Sequence, residues 1–236
     1  MRYNWLAGVV LLCSLLVALG SVQPAAAVPD LQLYIPDAAW DPATETWVTT
    51  APEFDLWVIG ANYAIEGVKV AAALDPDADP ASGVVTMTSY QYTGAFPPGS
   101  NPQMVATATY GSGGSSFCSG TPVMGNGKPL PDHDIYPTWY GLVDVGNFTP
   151  QYNVPNMYPT ETGEALGEIR TVHVQVSGFR SVHFDAYNHY LWANKVRARF
   201  APFSHDAEMV VPEPGTLLLA APCLIGLLAP RLRRKR

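Results

Sequence analysis

An all-β fold, as a single antiparallel β-sandwich of the jelly-roll kind, is the class that three features of this 236-residue sequence predict. Apolar and polar residues alternate with period two in many short segments, the pattern of strands with one buried face. No long stretch carries the 3.6-residue periodicity of an amphipathic helix. The 22 Pro and 20 Gly, about 18% of the chain, interrupt it too often for helices and suit turns between strands. The predicted body spans residues 28–210, preceded by an export segment at 1–27 and followed by a distinct segment at 211–236.

The first segment has the layout of a secretory signal. Arg2 supplies the positive charge, Leu6 to Gly20 is a continuous apolar run, and Pro24-Ala25-Ala26-Ala27 offers the small residues that a signal peptidase needs. Ala25 and Ala27 mark the cleavage site, with the cut after Ala27. Cys13 follows Leu12, which is too large for a lipid-attachment signal.

Strand patterns then follow one another. Thr46 to Thr50 and Phe54 to Ile59 flank Ala51-Pro52-Glu53 and predict a hairpin. Val68 to Leu74 and Val84 to Tyr92 bracket an acidic, Pro-containing turn. Residues 96–137, rich in Gly, Pro, Ser and Asn, predict an irregular excursion with one short strand at Val105 to Tyr110. Strand character returns at Trp139 to Val145, Ile169 to Val176, Ser181 to Tyr187 and Lys195 to Phe200. Nine or ten strands in one domain fit a sandwich.

Charge separates the body from the ends. The chain carries 13 Lys and Arg against 20 Asp and Glu, but residues 28–210 hold seven basic and 19 acidic residues, a formal charge of −12. So acidic a surface excludes a phosphate backbone, and no nucleic-acid partner is expected. With 48% hydrophobic and 11% aromatic residues, an intrinsically disordered acidic chain is excluded as well. Cys118 is the one cysteine of the body, since Cys13 and Cys223 lie in the terminal segments; the body is expected to stand on its core without an intrachain disulfide.

Val211-Pro212-Glu213-Pro214 is followed by a mostly apolar stretch at 215–230 and then by Arg231, Arg233, Arg234, Lys235 and Arg236. The apolar run is short for a span, and Pro222 interrupts it. The basic cluster supplies the stop-transfer signal that holds this end in the cytoplasm. A glycolipid-anchor signal would end in its apolar tail. This tripartite ending, with motif 211–214, membrane helix 215–230 and basic tail 231–236, resembles the PEP-CTERM sorting signal of Gram-negative bacteria. The resemblance implies that Pro212, Glu213 and Pro214 mark processing by an exosortase, a membrane transpeptidase-like cysteine enzyme. It further implies transient residence in the inner membrane, then release or transfer to the cell surface in organisms that make exopolysaccharide. The body also resembles the choice-of-anchor N family in Leu31 to Ile35, Thr44 to Thr49, Leu56 to Gly60, His183 to Tyr187 and Ala201 to Ala207. That resemblance implies an extracytoplasmic body and brings no activity or ligand with it.

Three constellations carry candidate chemistry. A hairpin closed by Ser177-Gly178-Phe179, with an index sum of 356, would set His173 opposite His183 and Thr171 opposite Asp185 on a polar face. His173, His183 and Asp185 would then suit zinc or another divalent metal, and the same pattern is that of a solvated sheet face with Asp185 balanced by Lys195, Arg197 or Arg199. Asp75, Asp77 and Asp79 alternate as calcium ligands do, but Pro80 and Thr86 stand where an EF-hand loop needs Gly and Glu, so the choice lies between a looser calcium turn and a solvated acidic tip. Asp132-His133-Asp134 offers similar ligand types in a Pro-rich loop. Trp40, Trp47, Trp57, Trp139 and Trp192 supply either core or a sugar-stacking face. No nucleophile elbow, phosphate loop or metalloprotease motif is present in the sequence. The function expected is that of a non-enzymatic surface or matrix protein, with a carbohydrate-binding module and a secreted hydrolase as the alternatives.

Overall fold

The computed structural model describes residues 27–92, 102–119, 139–202 and 205–211, without the side chains of Trp192 and Val196. These residues form two β-sheets over a shared core, and no α-helix is present among them. Strands are numbered in chain order. One sheet of six strands runs β1 (Leu31–Tyr34), β4 (Glu53–Ala61), β11 (Glu164–Ser177), β6 (Val84–Tyr92) and β7 (Pro102–Gly111), with β10 (Tyr152–Pro155) also on β11. The other, of eight strands, runs β2 (Ala39–Asp41), β3 (Thr46–Thr49), β14 (Asp206–Val210), β12 (Ser181–Trp192), β5 (Ile65–Leu74), β9 (Trp139–Phe148) and β8 (Cys118–Ser119), with β13 (Lys195–Phe200) also on β12.

The alternation read from the sequence sets the inner faces. Val172, Val174 and Val176 of β11 and Val182, Phe184 and Ala186 of β12 are buried in the common core. Leu31, Leu33, Leu56, Val58, Val70 and Leu74 join them from both sheets. Full burial of a side chain such as Phe184 contributes about 1.5–3 kcal/mol.

Two expectations are corrected. The sheets are not wholly antiparallel, because β14 pairs with β3 in parallel over Asp206–Met209. The connections expected to close hairpins instead carry the chain from one sheet to the other. β3 and β4 lie in different sheets, as do β5 and β6, and β11 and β12. The reason is that an arch and a hairpin show the same alternation, since each strand turns its apolar face to one core in either case. At the third arch the backbone closes around Gly178, with φ of 78°; a Cβ there would strike Ser82 O and Gly83 Cα. True hairpins occur at β6–β7 and β12–β13, the latter turning at Ala193 and Asn194 with φ of 48° and 60°.

The export segment up to Ala26, the excursion at 120–138 with Asp132-His133-Asp134, and residues from Pro212 to Arg236 lie outside the described residues. Among the described residues no helix is long and apolar enough to cross a membrane.

Candidate functional site

The arch at Gly178 separates the residues that a hairpin would have joined. His173 lies on the outer face of the six-stranded sheet, opposite Asp55 in the β11–β4 ladder. Its Nδ1 is 2.9 Å from Asp55 Oδ1 and its Nε2 is 3.2 Å from Glu53 Oε1, both half-open to solvent. His183 and Asp185 belong to the eight-stranded sheet, so His173, His183 and Asp185 do not converge. Among the described residues no group of three His, Cys, Asp or Glu is arranged to hold a metal. In the β12–β13 ladder Lys195, Arg197 and Arg199 face Trp192, Tyr190 and Asn188, while Asp185 pairs with Ala71 of β5.

The outer face of the eight-stranded sheet is where ionisable groups gather. Because Val182, Phe184 and Ala186 point into the core, His183, Asp185 and Tyr187 point the other way, yet all three are buried. Ala207 and Met209 occupy the core side of β14, which puts Asp206 and Glu208 on the outer side beside β12. His183 is paired with Glu208 across the ladder, and its Nε2 is 3.7 Å from Asp206 Oδ2. Ala71 and Ala73 of β5 flank β12 with short side chains. Beyond them, Lys69 and Asp144 form a bridge of 3.4 Å, and Tyr140 approaches Cys118.

Burial sets the protonation of this band. It pushes the Asp206 carboxyl well above the ordinary carboxylate range, and neither carboxylate oxygen has a hydrogen-bond partner among the described residues. Burial also raises Glu208, an effect that His183 opposes and Asp41 and Asp75 reinforce. The His183 imidazole is pushed down by burial against the pull of Asp185 and Glu208, so it is neutral at pH 7. A neutral imidazole and carboxyls held towards their protonated form can exchange a proton or hydrogen-bond a polar ligand. A cavity of about 250 Å³ opens beside them, lined by His183, Glu208, Ser181, Asp75, Pro76 and Ala73.

The acidic turn has a local explanation. Asp75 Oδ1 accepts from Asp77 N at 3.1 Å, and Asp79 Oδ1 accepts from Ala81 N at 2.9 Å. Alternate aspartates thus cap successive turns, the use to which short acidic side chains are well suited. All three of Asp75, Asp77 and Asp79 are exposed, and they border a cavity of about 320 Å³ together with Ser82, Phe179 and Arg180.

Three of the tryptophans do come together, but not as a flat platform. Trp57, Tyr34, Trp47, Trp40 and Tyr158 form a chain of ring contacts along one edge of the sandwich. The Tyr34–Trp47, Trp40–Trp47 and Trp40–Tyr158 planes meet at 86°, 63° and 85°, so ring faces receive neighbouring ring edges. Trp139 packs against the main core instead.

Two features were not anticipated from sequence. Arg170, in phase with Val172 and Val174, is buried in the core, where it pairs with Glu168 at 3.1 Å and donates to Val145 O at 2.6 Å and to Asn147 O. Its guanidinium lies over Phe148. The available signal was a charged residue in register with valines and an acid two positions earlier in the same phase. Asn188 likewise shares the phase of Phe184 and Ala186 and is buried.

No protein-family model matches the chain, and no curated protein matches it. A solved structure of AvmM, described as catalysing macrocyclization in alchivemycin A biosynthesis, is similar over 77% of this chain and 89% of that one. Its sequence identity is 7% and its TM-score 0.29, a likeness that carries no argument about what this chain does.

Proposed function

We propose that the chain is an exported, non-enzymatic surface or matrix protein. Its β-sandwich body is presented outside the cytoplasm, associated with exopolysaccharide, after processing at Pro212-Glu213-Pro214. The observation that carries this reading is the order of three elements in the sequence: the Pro-Glu-Pro motif, the apolar run at 215–230, and the basic tail at 231–236. The secretory signal ending at Ala27 supports it from the other end. The last described strand ends at Val210, and Val211, the residue before the motif, is tied by its N–H to Arg180 O at 2.7 Å.

On this reading the signal peptidase and an exosortase are the partners during export, and the inner membrane is occupied only by the precursor. Fractionation of cells expressing the native chain and Glu213→Ala tests it. The native body is expected in the outer envelope or medium and the variant in the inner membrane. Equal distribution of the two overturns the role of the motif.

A further inference from the structure

A cavity of about 690 Å³ lies away from both the aromatic edge and the acidic turn. It forms where two strands part. The β12–β5 ladder ends at Tyr187↔Lys69, and β5 then carries a bulge between Ile65 and Lys69, with Gly67 at φ of 63°. Past that point β12 continues on β13 alone, pairing through Trp192↔Lys195. Asn188 spans the gap, its Nδ2 donating to Glu66 O at 3.2 Å.

The lining mixes apolar surface with planar polar groups: Glu66, Asn188, His189, Tyr190, Leu191 and Arg199. Asn188 is 1% exposed, and its Oδ1 has no hydrogen-bond partner among the described residues. His189 Nε2 is likewise buried and without one. A half-satisfied buried amide costs free energy unless a ligand or water completes it. Leu191, by contrast, is 76% exposed, an apolar side chain standing open at the rim. Arg199 is held in place by stacking over Tyr63 and Tyr190 and by a 3.4 Å contact with Asp30. That single contact leaves donors of its guanidinium fork for a ligand. Glu66 and Arg199 face the cavity, Asp30 sits on Arg199, and Lys69 is close enough to act on His189, so two negative and two positive groups balance there although the body is acidic.

We infer that this cavity binds a neutral saccharide unit. Hydroxyl groups can donate to Asn188 Oδ1 and Glu66 and accept from Arg199, while Leu191, on the opposite side of β12 from Tyr190, offers apolar surface to a sugar ring at the rim. The volume falls within the range of small-ligand sites. The choice of ligand rests on the reading of the body as an exopolysaccharide-associated protein.

The test is titration calorimetry of the full chain in a zwitterionic, sugar-free detergent, with neutral gluco-oligosaccharides of α and β linkage and with an oligouronate. Saturable binding of a neutral oligosaccharide is expected, weakened about tenfold or more by Leu191→Arg and by Tyr190→Ala and unchanged by Trp40→Ala. Leu191 is exposed, so its replacement leaves the fold intact, and an unchanged melting temperature verifies this. Absence of saturable heat with neutral sugars, preference for the oligouronate, or full affinity in Leu191→Arg overturns the inference. Because the titration does not depend on processing, its failure is distinguishable from failure of the sorting proposal, which fractionation reads separately.

Discussion

The two sheets treat their buried charges in opposite ways. In the six-stranded sheet, Arg170 is fully enclosed by partners: Glu168, two main-chain carbonyls and the face of Phe148. In the eight-stranded sheet, Asp206 is as deeply buried, but neither carboxylate oxygen has a hydrogen-bond partner among the described residues, His183 Nε2 lies 3.7 Å away, and both groups shift towards neutrality. The outer faces differ as well. His173 lies among solvated carboxylates, whereas His183, ten residues later, is covered. A charge can thus be buried by completing its hydrogen bonds or by giving up the charge, and this fold uses one route in each sheet.

Removing one member of the complete pair is the sharpest challenge to that contrast. Glu168→Gln leaves Arg170 buried without its counter-charge and is expected to cost about 3–5 kcal/mol in urea unfolding. A loss below about 1 kcal/mol would mean that the pair is solvated. The acid side of the stability profile comes next. Burial lowers His205 to about 4, against the pull of Glu161. The unfolded chain therefore takes up this proton at higher pH than the folded one does. Stability is complete above about 6.5 and falls as pH drops towards 4, by about 3 kcal/mol for this residue. His205→Gln should flatten that limb in a series of melting curves; an unchanged slope contradicts the assignment.

Asp206 acts with the opposite sign. Its folded carboxyl binds a proton more tightly than the unfolded one, so its contribution is favourable at low pH and is lost as pH rises from about 4 through its folded pKa. Asp206→Asn is expected to raise stability at pH 7 by about 1 kcal/mol, with the desolvated amide offsetting part of the gain, and to change nothing below pH 4. Destabilisation at pH 7 would show that the charged form is held by a partner. The smallest effect belongs to His173→Ala, below about 1 kcal/mol in the same urea assay, because exposed ion pairs contribute little.

Much of this fold was legible as parity. The phase of Val172, Val174 and Val176, and that of Val182, Phe184 and Ala186, correctly named the core side of β11 and β12. Parity does not say which sheet a strand joins, since the turn at Gly178 serves an arch as well as a hairpin, and the separation of His173 from His183 follows from that alone. Nor does it say whether the polar side is covered, which is why His183 and Asp185 were expected on a solvated face and are buried. Arg170 and Asn188 stood in apolar phase and were readable as buried polar groups, but their meaning depends on β9 and on the bulge in β5, contacts remote in sequence. The tryptophans showed their number and not their mutual angles, which set Trp40 and Tyr34 edge-to-face against Trp47.

The proposal of export and processing at the Pro-Glu-Pro motif is tested most directly by mass spectrometry of the C-terminus of the mature protein from the cell surface and medium. The account predicts a C-terminus at or near Pro212-Glu213-Pro214, without the basic tail at 231–236. A mature surface form that retains Lys235 and Arg236 would contradict it.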